Sequence, residues 1–206
     1  ELNYEMGDYP AAINILTEAI DRYKDDSMLG KSMFLVADSY RKSGLNLDTT
    51  LSNLASDPSA TVIYEKQSDL RRQHLEHARE YFDRAINFYE QVPEGRQDEL
   101  GQVYLRHSYL NRADCLFDLG QYQEAVRLYE LAALRYQLTP TALTALQQVM
   151  NCQVKLGKPS AARAASERAR WQLRKMSDEA LMQEGGSLQR EEWEKWFNWV
   201  EQAGLW

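Results

Sequence analysis

Ala113-Asp114-Cys115-Leu116-Phe117-Asp118-Leu119-Gly120-Gln121-Tyr122-Gln123-Glu124-Ala125, continued by Tyr129 and Ala132, is the stretch that decides how this chain folds. It reads as the end of one helix, a turn at Gly120, and the start of a second helix packed back on the first. The small residues Ala113, Ala125 and Ala132 let two backbones approach closely. Leu116, Tyr122 and Tyr129 fill the space between them.

The same grammar recurs to either side. Upstream, Gly7-Asp8-Tyr9-Pro10-Ala11-Ala12 forms a turn, with Asp8 as N-cap and Pro10 in the first helical turn, where its missing N–H costs nothing. Ala12, Leu16 and Ala19 then mark one face of a helix running to about Tyr23. Gly7 closes a helix of which residues 1–6 are the part at hand. Asp26 or Ser27 caps the next helix, with Met33, Phe34, Val36, Ala37 and Tyr40 on its inner side and Gly44 as its end. Downstream, Thr139-Pro140 opens a helix through Leu146, Val149 and Met150 to Gly157. Pro159 then starts another, carrying Ala162, Ser166 and Ala169. Gly7 to Gly44 and Gly120 to Gly157 are both steps of 37 residues. Internal repetition of this length points to a stack of helical hairpins.

One copy is displaced. Ala12 follows Gly7 by five residues, but Ala78 follows Gly44 by 34, so 29 residues are inserted. Residues 45–56 are polar with scattered leucines and read as a loop with room for one helical turn. Asp57-Pro58 reads as a helix start, and no Gly or Pro intervenes from Ser59 to Val92, so a single helix of about 34 residues is expected, roughly 50 Å long. The alternative is an extra degenerate hairpin broken near Gln73. Pro93-Glu94-Gly95 turns the chain into the next inner helix, Asp98 to Leu119. Past Met176 the sequence becomes polar, with Gly185-Gly186-Ser187 as hinge and N-cap. A final helix then carries Trp193, Trp196, Phe197 and Val200 on one face. This divides the chain into a repeat domain, residues 1–176 with the insertion at 45–76, and a linker with a tryptophan-rich capping helix, residues 177–206. A repeat array needs such a cap over its last apolar face.

Composition excludes several function classes. The net charge of −7 argues against tracking a phosphate backbone, since nucleic-acid binders carry a basic stripe. No apolar run reaches the roughly 18 residues of a membrane span, and no secretory signal is present. The compartment, cytoplasmic or periplasmic, stays open. Cys115 and Cys152 sit 37 residues apart, at equivalent places on alternate helices, too far apart for a disulfide and best read as small buried hydrophobes. His74, His77 and Glu80 share a helix face, but the third histidine of the chain is His107, and surface histidines are the plainer reading than a metal site. No cysteine has a histidine beside it and no glycine-rich turn follows a strand, so neither a nucleophile nor a phosphate cradle has a seat. No enzyme, cofactor or metal is expected.

Gly7-x-Tyr9-x2-Ala12-x3-Leu16-x2-Ala19 and Gly120-x-Tyr122-x2-Ala125-x3-Tyr129-x2-Ala132 resemble the second helix of tetratricopeptide repeats. Gly157, Ala162 and Ala169 form a weaker copy, with Pro159 in place of the tyrosine, and Ala78, Phe82 and Ala85 form a half copy. The spacing of 37 exceeds the usual 34 or so. It is similar to longer-spaced arrays of bacterial envelope proteins, the outer-membrane assembly lipoproteins and Tol–Pal coordinating proteins. Asp21-Arg22-Tyr23 and Leu134-Arg135-Tyr136 are reminiscent of that subgroup. The resemblance implies an all-α, right-handed superhelical solenoid of antiparallel hairpins whose inner helices line a groove for a protein or peptide. The groove-facing residues would then be Lys31, Phe34, Asp38 and Arg41; His107, Leu110, Asp114 and Phe117; and Thr144, Gln147, Asn151 and Val154. Asp38 and Asp114 fall where a clamp for a C-terminal carboxylate wants asparagine, and only Asn151 conforms. A helix or extended segment laid along the groove is therefore the expected partner. The second expectation is a structural role in the cell envelope, with the long helix making contacts between copies of the chain.

Overall fold

The computed structural model describes residues 1–24, 26, 28–93, 97–182 and 188–204, and every described element is helical. Clustering of contacts divides the chain into two compact units, residues 1–119 and residues 120–206.

The first unit holds α1 (Leu2–Glu5), α2 (Tyr9–Arg22), α3 (Leu29–Leu54), α4 (Thr61–Gln91) and α5 (Glu99–Asp118). Asp8 caps α2 by accepting a hydrogen bond from the Ala11 N–H at 3.2 Å, and Pro10 stands in the first turn, as the sequence predicts. Asp26 works one step earlier than expected. Its carboxylate accepts from the Met28 N–H at 2.7 Å, while Met28 itself precedes the helix. Ser27 lies outside the described residues. α3 packs against α2, α4 and α5. Its Phe34, Leu35, Val36 and Ala37 meet Ala12, Leu16 and Ile20 of α2 and Ala78, Phe82 and Ala85 of α4 in one core. Of the alanines predicted from the repeat spacing, Ala12, Ala37, Ala78 and Ala85 are covered, while Ala19 is only half-buried. Phe34 and Phe82 meet edge to face, with ring centroids 5.7 Å apart.

Two expectations for this unit need correction. α3 does not end at Gly44, and residues 45–54 are helix, not loop. Gly44 is buried within α3, where a side chain would meet Leu75 Cγ at 3.3 Å and the Arg71 carbonyl oxygen at 3.4 Å. Its missing side chain serves a close helix–helix approach, not a turn. Beyond it, Leu47, Leu51 and Leu54 follow at helical spacing and are half-buried. Asp48 pairs with Arg71 across from α3 to α4. The long helix itself is present: after one 3-10 turn, Pro58–Ala60, α4 runs unbroken through Gln73 to Gln91. Asp57 caps that turn by accepting from the Ser59 N–H at 2.9 Å. The inserted residues thus lengthen both arms of one hairpin. Of the turn expected at residues 93–95, Glu94 and Gly95 lie outside the described residues.

The second unit holds α6 (Tyr122–Arg135), α7 (Pro140–Lys155), α8 (Pro159–Lys175), α9 (Asp178–Met182) and α10 (Arg190–Gln202). α7 packs between α6 and α8. Ala125, Tyr129 and Ala132 from α6, Leu143, Leu146 and Met150 from α7, and Ala162 and Ala169 from α8 are buried. Gly120 and Gly157 have φ of +73° and +66°, and Gly7 in the first unit has +77°. That left-handed backbone closes a helix at little cost only without a Cβ. Thr139 precedes α7 but its hydroxyl donates to the Tyr136 carbonyl at 2.9 Å and caps no N–H. α10 lies against α8 and buries Trp193, Phe197 and Val200. Arg190 fastens its start, donating to the Leu173 and Met176 carbonyls at the end of α8, each at 2.6 Å. Gln189 and Glu192 close a capping box there. The expected hinge and cap, Gly185, Gly186 and Ser187, lie outside the described residues. Both cysteines are buried. Burial pushes the Cys115 thiol well above its ordinary value.

Candidate inner-helix binding face

The residues assigned to a groove fall on α3, α5 and α7. On α3 and α5 they form one connected face, because α5 packs directly on α3. Phe34 is buried against Tyr104, with ring centroids 4.8 Å apart, and its ring also faces His107 at 6.4 Å. It belongs to the core more than to an open surface.

The polar residues of α3 are held by neighbouring helices. Lys31 donates to the Glu1 carboxylate at 2.8 Å, a bond that raises its pKa. Asp38 is buried; it accepts from the Tyr4 hydroxyl at 2.6 Å and pairs with Lys42 at 2.9 Å. Lys42 also donates to the Tyr4 oxygen at 2.7 Å. Burial works against the Lys42 charge, yet Tyr4 and Asp38 together raise its pKa. The Tyr4 hydroxyl is raised as well, first by burial and then by its bond to Asp38.

Arg41 reaches across to α5, with a guanidinium nitrogen 3.2 Å from Asp114 and 3.3 Å from Asp118. Burial opposes its charge, and Asp114 and then Asp118 outweigh that to raise its pKa. One cation cannot satisfy two carboxylates equally. Burial raises the Asp118 pKa, against the lowering effect of Arg41. Arg71 of α4 adds a bond to the Asp118 carbonyl at 2.9 Å. Arg41 therefore ties α3 to α5. His107 is exposed, and Leu110, Asp114 and Phe117 are half-exposed at helical spacing.

On α7, Asn151 is exposed and its amide donates to Gln148 of the same helix at 3.0 Å. Gln147, Thr144 and Val154 are half-buried, and the Thr144 hydroxyl bonds the Pro140 carbonyl at 3.2 Å. Sequence reasoning missed Tyr4, Lys42, Tyr104 and Asp118. Two of these were within reach, because Lys42 and Asp118 stand four residues beyond Asp38 and Asp114 and share their helix faces.

His74 and His77 do not stand free in solvent as a pair. Tyr40 lies between α3 and α4 with ring centroids 5.8 Å from His74, 5.2 Å from His77 and 6.0 Å from Tyr81. Burial, then His77, lowers the His74 pKa. Among the described residues, no three His, Cys, Asp or Glu side chains gather where they could hold a metal. No described helix is long and apolar enough to cross a membrane.

Helices packed side by side with alanines at covered positions, and left-handed glycines at Gly7, Gly120 and Gly157, define an α-helical repeat protein. Residues 107–136 match the family model of the tetratricopeptide repeat. The chain carries a tetratricopeptide repeat there, and the resemblance read from the sequence holds at the level of that superfamily, whose repeats generally mediate protein–protein interactions. No curated protein and no solved structure matches the chain.

Proposed function

We propose that the chain is a non-enzymatic scaffold that binds a protein segment along the inner face of α3 and α5. The observation that carries this reading is the partly exposed stripe on α5. Leu110 and Phe117 lie two turns apart on it, with His107 beside them, while Asp38 is held by Tyr4 and Arg41 by Asp114. Gln147 and Asn151 offer a comparable face on α7. An apolar or mixed segment suits α5, and a free C-terminal carboxylate does not, because Asp114 and Asp118 would repel it. The test is affinity capture with the intact chain and with Leu110→Ser/Phe117→Ala, followed by identification of bound proteins. Loss of a partner with unchanged thermal unfolding supports the groove. Undiminished capture rejects it.

A second reading is structural assembly through the lengthened hairpin, in a bacterial envelope as the 37-residue spacing suggests. It is favoured by Val62, Ile63 and Leu70, which stand exposed on the outer side of α4. Concentration-dependent sedimentation that disappears in Val62→Ser/Ile63→Ser supports it, and a monomer at all concentrations rejects it.

A further inference from the structure

Past Gly44 the lengthened hairpin ends in a tip, formed by residues 45–54 of α3, the 3-10 turn and residues 61–74 of α4. Its core is thin. Ala60 alone is buried among these residues, and Leu47, Leu51 and Leu54 are half-buried. The arms leave a cleft of about 390 Å³ between Leu51, Tyr64, Ser68 and the Asp48–Arg71 pair. Elements with so little covered apolar surface open at low cost. The tip meets the covered core at Gly44 and Leu75. His74 stands at that junction, its Cβ 3.4 Å from where a side chain on Gly44 would begin.

The His74 ring is wedged where it is ill suited to carry charge. Its Nδ1 is cut off from water and has no hydrogen-bond partner among the described residues. A neutral ring can leave an unmet acceptor there, whereas a protonated one leaves an unmet charged donor, the costlier of the two. The groups around it offer no relief. From α3, Tyr40 lies against the ring and Asp48 is taken by Arg71. On α4 itself, Arg71 and His77 stand one turn to either side, and Glu80 lies 3.6 Å from His77. From α5, Asp118 accepts from Arg71 through its carbonyl, and its carboxylate pairs with Arg41. The turn Pro58–Ala60 carries no charge. Burial first and His77 second lower the His74 pKa, with the Ser43 main chain acting against them.

We infer that the hairpin tip is an acid-sensitive element, closed at neutral pH and parting from its root at Gly44 when His74 takes a proton. The folded ring releases its proton more readily than a free one. Its contribution to closure is therefore complete above the ordinary histidine value of 6.5 and is lost as pH falls through the folded pKa. Opening lets Nδ1 reach water and uncovers Leu47, Leu51 and Tyr64 along the two arms, so the apolar surface of the tip grows in mild acid. His77 does not share this role, because its ring is exposed and Glu80 stands ready to accept from it.

The experiment is hydrogen exchange of the whole chain read by mass spectrometry at about pH 7.5 and about pH 5.5, corrected for the intrinsic exchange rate. Protection of residues 45–54 and 61–74 is expected to fall about five-fold or more in acid relative to α6, α7 and α8. His74→Gln is expected to abolish that difference, and His77→Gln to retain it. A second readout uses the parent ring itself. The chain holds three histidines, and NMR titration of their ring protons, with His74 assigned by elimination from His77→Gln and His107→Gln, is expected to place His74 below the ordinary value. The inference is overturned if the tip and α6 to α8 lose protection in parallel, if His74→Gln keeps the pH dependence of the parent, if His77→Gln alone removes it, or if His74 titrates at or above the ordinary value.

Discussion

Gly30 opens α3 where it crosses the end of α4, and replacing it with alanine tests how tightly that crossing is set. An added Cβ would stand 2.5 Å from Phe88 Cδ1, 2.8 Å from Phe88 Cε1 and 2.7 Å from Tyr89 Cζ. Restoring ordinary contact requires the rings to retreat by roughly 1 Å. They have little freedom to do so: Tyr89 is buried, meets Phe88 edge to face at 5.4 Å and stacks on Tyr104 at 6.4 Å. Alanine gains about 1 kcal/mol of helix propensity over glycine. Overpacking of a filled site costs about 1–3 kcal/mol, and an overlap with two anchored rings belongs at the upper end. The net expectation is a loss of about 1–2 kcal/mol, or about 3–6 °C in melting temperature for a chain of this size. Thermal unfolding by circular dichroism measures it. Gly44→Ala is the control, since its contacts of 3.3–3.4 Å need only slight adjustment, and the propensity gain should nearly cancel the strain. A cycle with Phe88→Ala should show coupling between positions 30 and 88. If Gly30→Ala melts at or above the parent temperature, the crossing is looser than these distances require and the reasoning fails.

Three further outcomes follow from the polar and strained positions. Arg41→Ala leaves Asp114 and Asp118 facing each other across a half-covered site and should cost about 2 kcal/mol in urea unfolding; a loss near zero would mean Arg41 does not tie α3 to α5. Burial raises the Asp118 pKa above its ordinary 3.8, so the folded state holds that proton more tightly than the unfolded chain. Its contribution to stability is therefore complete below that value and is lost as pH rises through the folded pKa. Asp118→Asn should remove this decline, so the variant gains on the parent between acid and neutral pH, and parallel pH profiles would refute the assignment. At Leu138, where φ is +59°, glycine should be more stable than alanine by about 1 kcal/mol, the reverse of the order inside a helix, and equal stabilities would show that the positive φ carries no strain.

The helices marked by repeat spacing were legible because close backbone approach demands small residues at fixed intervals. Ala12, Ala78, Ala125 and Ala162 are all fully or nearly fully covered. The same rule misled at Gly44. A glycine at the period position signals a left-handed turn or a close helix contact, and spacing alone does not separate them. The leucines at 47, 51 and 54 held the information that α3 continues, but polar neighbours hid it. Asp38 and Arg41 lie on α3, but their partners Tyr4 and Asp118 come from other helices, 34 and 77 residues away. Local sequence cannot report such pairings. Leu138 escaped altogether, since nothing in Tyr136-Gln137-Leu138-Thr139 announces positive φ.

The covered sulfurs of Cys115 and Cys152 have a practical consequence. A thiol sealed from water reacts slowly with maleimides and disulfide reagents. A single cysteine introduced at an exposed position, such as Gln102 on α5 or Ala164 on α8, should take a spin label or fluorophore selectively on the otherwise unaltered chain. Distance measurements between such labels can then follow the chain as it meets a partner.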